Sequence, residues 1–432
     1  MSAEYRVTDE LYLWWLGQPR VPVLVGALRL LRATRGVSLR YAPGWLRDGF
    51  ALSEDLPLID VEHLPAERDA AAGAVDDARP DRWGERVIRF VDKPPRLSLL
   101  EYLYFAGDER FGALGVSSVA DAYRPHWTGP LPALREVQEI HELVRKLLDN
   151  EPVPEAKRRL IAPGTTLGGA RPKALIEVDG AQWVVKFGEP GDPIDAPLVE
   201  HASLTLAAQA GITAVRTKPV RLADGHALAV LRFDREGSGA KLRRRHAQSA
   251  QVALRAEASP FGYPELAQLL RRRAPVRSGL AQAQMRELYR RMVFNILLDN
   301  TDDHEKNHVL LLDDAQHLQL APAFDVLPAG QALGYQQIRV GRDGADSTID
   351  NAISEAALFG LSAAEARAQA ARVAQVCENW KAHFAQAGVT RRDIDTLARY
   401  IDRGFLLDQR REFAAGKARR RSVAARRRKG GS

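Results

Sequence analysis

Eight residues, Asn300-Thr301-Asp302-Asp303-His304-Glu305-Lys306-Asn307, hold two aspartates, a glutamate, a histidine, a lysine and two amides. An apolar run, Met292 to Leu298, precedes them and reads as a buried helix. A second, Val309 to Leu312, follows and reads as a buried strand. Asn and Asp are common in solvated turns, so density alone is weak evidence. Spacing says more. Asp302 and Asn307 stand in the order D-x-x-x-x-N, in which the carboxylate takes a hydroxyl proton and the amide holds a metal during phosphoryl transfer. Asp303 is out of that register.

Phosphoryl transfer also needs a pliant backbone over the phosphates, a cation on their oxygens and a further metal-binding carboxylate. Gly164 to Lys173 is glycine-rich and ends in a lysine, so its N–H groups could approach phosphate closely. It is neither a Walker A loop nor a G-x-G-x-x-G. Lys186 ends an apolar strand and Glu200, on the next helix, is a potential partner. Phe324-Asp325 returns a carboxylate just past the hairpin that follows the eight-residue loop. Each feature alone is commonplace; all four in this order are much less so. Competing chemistries have less support. His304 and His308 straddle a loop-to-strand junction, which disfavours zinc. No G-x-S-x-G elbow occurs, and the single cysteine, Cys377, excludes an internal disulfide.

The elements that must position these groups read as follows. Residues 10 to about 50 alternate apolar and polar, as in a small antiparallel sheet. Ala70 to Phe90 turns helical, Ser98 to Tyr104 reads as another helix, and Phe111 to Val116 as a turn into a strand. Pro125, Pro130 and Pro132 mark a boundary. Leu134 to Leu148 has one apolar face. The strands Ala174 to Val178 and Trp183 to Phe187 flank Asp179-Gly180, a hairpin signal. A helix over Leu198 to Gly211 and two strands, Thr217 to Leu222 and Ala227 to Phe233, come next. From Arg244 the chain reads as helical except near Val309 to Leu320. It ends in two long helices, Ser362 to Ala387 and Arg391 to Phe413. A glycine loop, a small sheet and a helical body in this order match the layout of kinases.

Across 432 residues, 45% are hydrophobic and 27% charged, as expected for a globular chain of two domains or two lobes. The net charge of +7 has a local source: eight Lys and Arg lie after Gly416 with no acid among them. The body is near neutral and the basic character belongs to a low-complexity tail. That tail could meet phosphates or an acidic partner. The first ten residues lack the pattern of a secretory signal, and Pro22 to Leu31 is too short to span a bilayer and contains Arg29. The expectation is a cytoplasmic protein with no membrane partner.

Several blocks carry a resemblance to a known family: Tyr41-Ala42-Pro43-Gly44-Trp45-Leu46, Leu52 to Leu58, Ala78 to Gly84, Arg110 to Gly115, Thr166 to Lys173, Arg232-Phe233-Asp234-Arg235, Thr301 to Asn307 and Phe324-Asp325. Together they resemble the HipA serine/threonine kinase toxins of bacterial type II toxin–antitoxin systems, from about Leu11 to Phe413. The resemblance implies an α+β, two-lobed protein-kinase-like fold, with a small β-sheet lobe and a large helical lobe behind a small N-terminal α/β domain. The expected parts are 1–130 (N-terminal domain), 131–235 (small lobe with phosphate loop and hinge), 236–415 (helical catalytic lobe) and 416–432 (basic disordered tail). It implies ATP and Mg²⁺ as cofactors, with Asp302 as the base and Asn307 and Asp325 on the metal. Gly168, Gly169, Ala170, Arg171, Lys173, Lys186, Leu231, Phe233, His304 and Lys306 would lie around the nucleotide. Family members phosphorylate proteins, including an aminoacyl-tRNA synthetase, and so stall translation. They pair with a helix-turn-helix, HipB-like antitoxin and reach DNA mainly through it. The serine that they autophosphorylate corresponds here to Thr166, with Thr165 adjacent. Two other classes compete: a small-molecule kinase of the aminoglycoside or choline type, and a non-catalytic DNA-binding co-regulator.

Overall fold

The computed structural model describes residues 5–162, 169–275, 279–331 and 333–416. Alternation in the first third builds an antiparallel sheet of five strands. Their order is Glu62–His63, Gly36–Tyr41, Val23–Leu31, Glu10–Trp15 and Leu114–Ser117. Leu11 and Leu13 are fully buried on it, as a period of two requires when one face meets a core. Val25 and Leu28, three apart, are also fully buried, and Val25 is the extra residue at the register shift opposite Leu13 and Trp14. The helix Leu99–Phe105 adds Leu100 and Leu103 to that core. Its start is fixed by a capping box between Ser98 and Glu101.

Between these elements the expected helix over Ala70 to Phe90 is interrupted. Pro80 drives Arg79 into extended backbone, with φ −78° and ψ 154°. The result is a 3-10 turn at Gly73–Ala78 and a separate helix, Arg82–Val87, capped by the Asp81 carboxylate. This break turns Trp83 and Val87 away from the first core and into the second.

The second sheet has four antiparallel strands, ordered Lys173–Val178, Ala181–Phe187, His226–Leu231 and Thr217–Arg221. Asp179 and Gly180 both take positive φ, 52° and 74°, which is the geometry of a type I′ hairpin. Pro219 sits on an edge strand, where a missing N–H costs no ladder bond. The two faces have different partners. Ala227 and Ala229 pack with the apolar stripe of Val137–Leu148. Leu228 and Val230 pack with the helix Ala196–Gln209 and the large helical core.

A third sheet joins Ala247–Ser249, Val309–Leu312 and Leu318–Leu320. Its first strand, three residues long, falls in a stretch that sequence reasoning assigned to helix. Both long C-terminal helices are broken. Asn379 separates Ala363–Glu378 from Trp380–Gln386, and the turn lets Trp380 and Phe384 bury edge to face at 5.3 Å. Asp402-Arg403 separates Arg391–Ile401 from Gly404–Ala414. Arg410 folds back there and donates to the Ile401 carbonyl at 3.0 Å, satisfying a helix-end acceptor. Among the described residues no helix is long and apolar enough to cross a membrane.

Candidate active site

The centre of the site is Lys186, at the end of the strand Ala181–Phe187. Its ammonium donates to Glu200 Oε1 at 2.7 Å and to Asp325 Oδ1 at 2.8 Å. Burial alone would pull the lysine down, but the two carboxylates outweigh it and hold it charged, above its ordinary value. Asp325 is held low by the same lysine against the cost of its burial, whereas burial raises Glu200. Asp325 also adopts φ +57°, a strained conformation for a residue with a Cβ, and such strain persists only where surrounding structure enforces it. The enforcing contacts are close by. Ala323 N donates to Thr213 O at 2.7 Å and Val215 N to Ala323 O at 2.9 Å.

The eight-residue loop is anchored by the residue next to the candidate base. Asp303 is buried and accepts from the Tyr263 hydroxyl and from His308 Nε2, the latter at 2.8 Å. Asn295 Nδ2 supports that hydroxyl at 3.2 Å, and Asn300 Nδ2 bonds Asn295 Oδ1 at 3.1 Å. Asp302 points the other way and is exposed. Partial desolvation raises its carboxyl, opposed by His304 and reinforced by Asp325 and Asp303. Asn307 is buried and turns its amide nitrogen to the Asp302 carbonyl at 3.3 Å, which leaves the amide oxygen as an acceptor.

Elsewhere the structure adds partners. Arg171 grips Asp192 with both guanidinium nitrogens, at 2.7 and 3.3 Å. Lys173 is only 2% exposed, and its ammonium is shared between Asp81 at 2.9 Å and the Gly169 carbonyl at 2.7 Å. Trp83 Nε1 donates to the Lys173 carbonyl at 2.8 Å. The C-terminal end of the glycine-rich stretch is thus tied to the N-terminal third of the chain. Ala170 and Lys306 are exposed, and His304 is half-buried. Leu231 closes its strand by donating to the Arg216 carbonyl at 2.9 Å, and Phe233 lies between Phe111, edge-on, and Phe324, tilted. Gly168, Thr165 and Thr166 lie outside the described residues.

The roles of Asp81, Asp192, Tyr263 and His308 as partners of these residues were not anticipated. Asp81 had the only available signal, a helix-capping aspartate after Pro80, and that signal says nothing of Lys173. Asp77 was also missed. Its carboxylate accepts from Ser249 N and Oγ, both at 2.7 Å, at the start of the helix Ala250–Ala256. Burial pushes Asp77 up to about 6 from the ordinary 3.8, against the two Ser249 bonds. Between those values the folded state holds more protons than the unfolded chain, so stability falls as pH rises from about 4 to 6. Asp77→Asn removes the charge, and its amide can still accept from Ser249 N and donate to Ser249 Oγ. Denaturant titrations at pH 4 and pH 7 should show a flatter profile in the variant, with a relative gain of up to about 2 kcal/mol at pH 7. An unchanged pH slope would contradict this.

The model of the HipA-like C-terminal domain matches residues 165–384, more than half of the chain. The chain belongs to the HipA family. No curated protein matches it in sequence. Among solved structures it is similar to the HipA of Shewanella oneidensis MR-1, described in complex with HipB and its operator DNA. That match has 17% identity and a TM-score of 0.65, over 94% of this chain and 97% of that one. A second structure, the Helicobacter pylori proinflammatory kinase CtkA, aligns at 14% identity and TM-score 0.43, over 58% of this chain and 94% of that one. The family's fold is the one seen here: α+β, kinase-like, with the small antiparallel sheet and the helical body meeting at Lys186 and Asp325.

Proposed function

We propose that this HipA-family chain is an ATP-dependent serine/threonine protein kinase, acting as the toxin of a type II toxin–antitoxin system. The observation that carries the reading is the bridge from Lys186 to Glu200 and Asp325. A lysine–glutamate pair beside a metal-binding aspartate is what an active kinase requires.

The residues fit Mg²⁺ and nucleotide. Asn307 and Asp325 offer an amide oxygen and a carboxylate oxygen, the hard donors that Mg²⁺ takes, and Mg²⁺ fills its remaining positions with water and substrate phosphate. One Asp325 oxygen is engaged by Lys186 and its side chain is 37% exposed, so the other oxygen is available. When bound, the metal neutralises charge on the transferring phosphoryl group. Asp302 orients the acceptor hydroxyl and takes its proton. Asp303 holds the loop so that this orientation is fixed. Lys186 fixes Asp325 before nucleotide arrives and offers its charge to the phosphates. The Shewanella protein assembles with an antitoxin and operator DNA, which supports a helix-turn-helix antitoxin as partner here and DNA contact through it. An aminoacyl-tRNA synthetase is the proposed protein target.

Incubation with γ-labelled ATP and cell lysate tests this reading. A labelled protein band supports it. Label confined to small molecules would instead favour a small-molecule kinase, and no transfer at all would remove the assignment. The tail is proposed as accessory. Removing residues 417–432 should leave ATP turnover unchanged at low and high salt and weaken only salt-sensitive binding. Loss of turnover at both salt concentrations would refute that.

A further inference from the structure

A row of three phenyl rings runs from the N-terminal third of the chain to the residue before Asp325. Phe111 meets Phe233 edge to face at 5.9 Å, and Phe233 meets Phe324 at 5.5 Å. All three pack on one small apolar cluster, Ala247, Val309, Leu311 and Ala321. Two of those four, Val309 and Leu311, lie on the strand that leaves the catalytic loop.

The loop carrying Phe111 is locked to the chain on either side of Phe233. Gly112 N donates to Asp234 Oδ2 at 2.8 Å, and Arg235 Nη1 donates to Gly112 O at 2.9 Å. Arg232 and Arg235 both donate to the Arg110 carbonyl, at 2.7 and 2.6 Å. Gly112 takes φ +75°, and a Cβ there would stand 3.4 Å from Ala247 N, so the loop meets the third sheet at close range.

We infer that Phe111 is a positioning residue for phosphoryl transfer: through Phe233 and Phe324 it sets the Asp325 carboxylate and the 231–233 segment that borders the nucleotide. Rings in contact transmit displacement because close-packed interiors do not deform continuously. Asp325 also has little freedom of its own, since its strained backbone depends on its neighbours. The inference rests on the kinase reading. It goes beyond it by making the N-terminal third a working part of the nucleotide site rather than an appended domain.

The test uses the full chain, with Phe111→Ala and Phe111→Leu beside the wild type. A fluorescent ATP analogue reports nucleotide affinity, and a Mg²⁺ titration of turnover reports the metal requirement. Phe111→Ala should raise the half-saturating Mg²⁺ concentration and the KM for ATP about fivefold, matching the size of an aromatic-pair contribution. Phe111→Leu, which refills most of the volume, should recover most of that shift. Thermal melting separates simple destabilisation, which lowers the folded fraction but leaves the Mg²⁺ midpoint in place. If wild type binds nucleotide and both variants share its Mg²⁺ midpoint and KM, the positioning role is wrong while the kinase reading stands. If wild type binds no nucleotide, the kinase reading itself falls.

Discussion

Asp302→Asn should lower phosphoryl transfer by about 10²- to 10⁴-fold, the usual worth of a positioned general base. Nucleotide binding and the melting temperature should stay close to those of the wild type. The side chain is exposed, and surface substitutions of near-identical shape usually change stability by no more than about 0.5 kcal/mol. The neighbouring position should behave in the opposite way. Asp303 is buried against Tyr263 and His308, so Asp303→Ala leaves two polar groups without their acceptor and should destabilise the fold by about 3 kcal/mol. Its activity should fall with the folded fraction. The pair of variants separates base from anchor by two measurements, turnover per folded molecule and unfolding free energy. Full turnover in Asp302→Asn would end the assignment of that residue.

That contrast also marks what a sequence can carry. Asp302 was singled out over Asp303 because D-x-x-x-x-N is local, and the structure leaves Asp302 exposed and Asp303 buried. The Lys186–Glu200 pair was legible for a similar reason, since a strand end and the next helix are 14 residues apart. The Asp179-Gly180 hairpin and the alternating strands announce themselves through turn chemistry and period. Contacts between distant segments leave no such mark. Lys173 meets Asp81 across 92 positions and Asp303 meets Tyr263 across 40. No property of either lysine or tyrosine in the sequence names its partner. The helix breaks at Asn379 and Asp402 were hidden for a different reason. The apolar period continues through them, and the turns are stabilised by Trp380 and Arg410 reaching Asp402. The strand Ala247–Ser249 is simply too short to show a period.

The same long-range logic predicts that Asp234→Asn is among the most damaging single substitutions outside the 300–307 loop. Asp234 is 1% exposed. It accepts from Arg232 Nε at 2.9 Å and Nη2 at 2.7 Å, from Arg235 Nη1 at 2.8 Å and from Gly112 N at 2.8 Å. Its carboxyl is held far below the ordinary range: the arginines and the Gly112 N–H outweigh the cost of burial. Two more buried arginines, Arg110 and Arg244, lie nearby, with Asp108 and Glu109 as the other nearby acids. Burial, with Arg232 and Arg244 nearby, already pulls Arg235 down to about 9, against Asp234 and Glu109. Neutralising Asp234 leaves Arg232 and Arg235 facing each other without their shared anion, and breaking a buried pair in this way costs about 3–5 kcal/mol. Because the folded value of Asp234 is depressed, its stabilisation is complete above about pH 4 and is lost only as the pH falls towards that folded value. The variant deficit should therefore be full at pH 7 and shrink in strong acid. Urea unfolding at both pH values measures it. The shape of the transition carries further information. Asp234 ties the loop before the strand Leu114–Ser117 to the chain leaving the second sheet. A single transition moved to lower urea would mean that the N-terminal sheet and the kinase-like body unfold together. An early separate transition would mean that this cluster is a latch between units that fold independently, and the positioning role of Phe111 would then depend on whether that latch is closed.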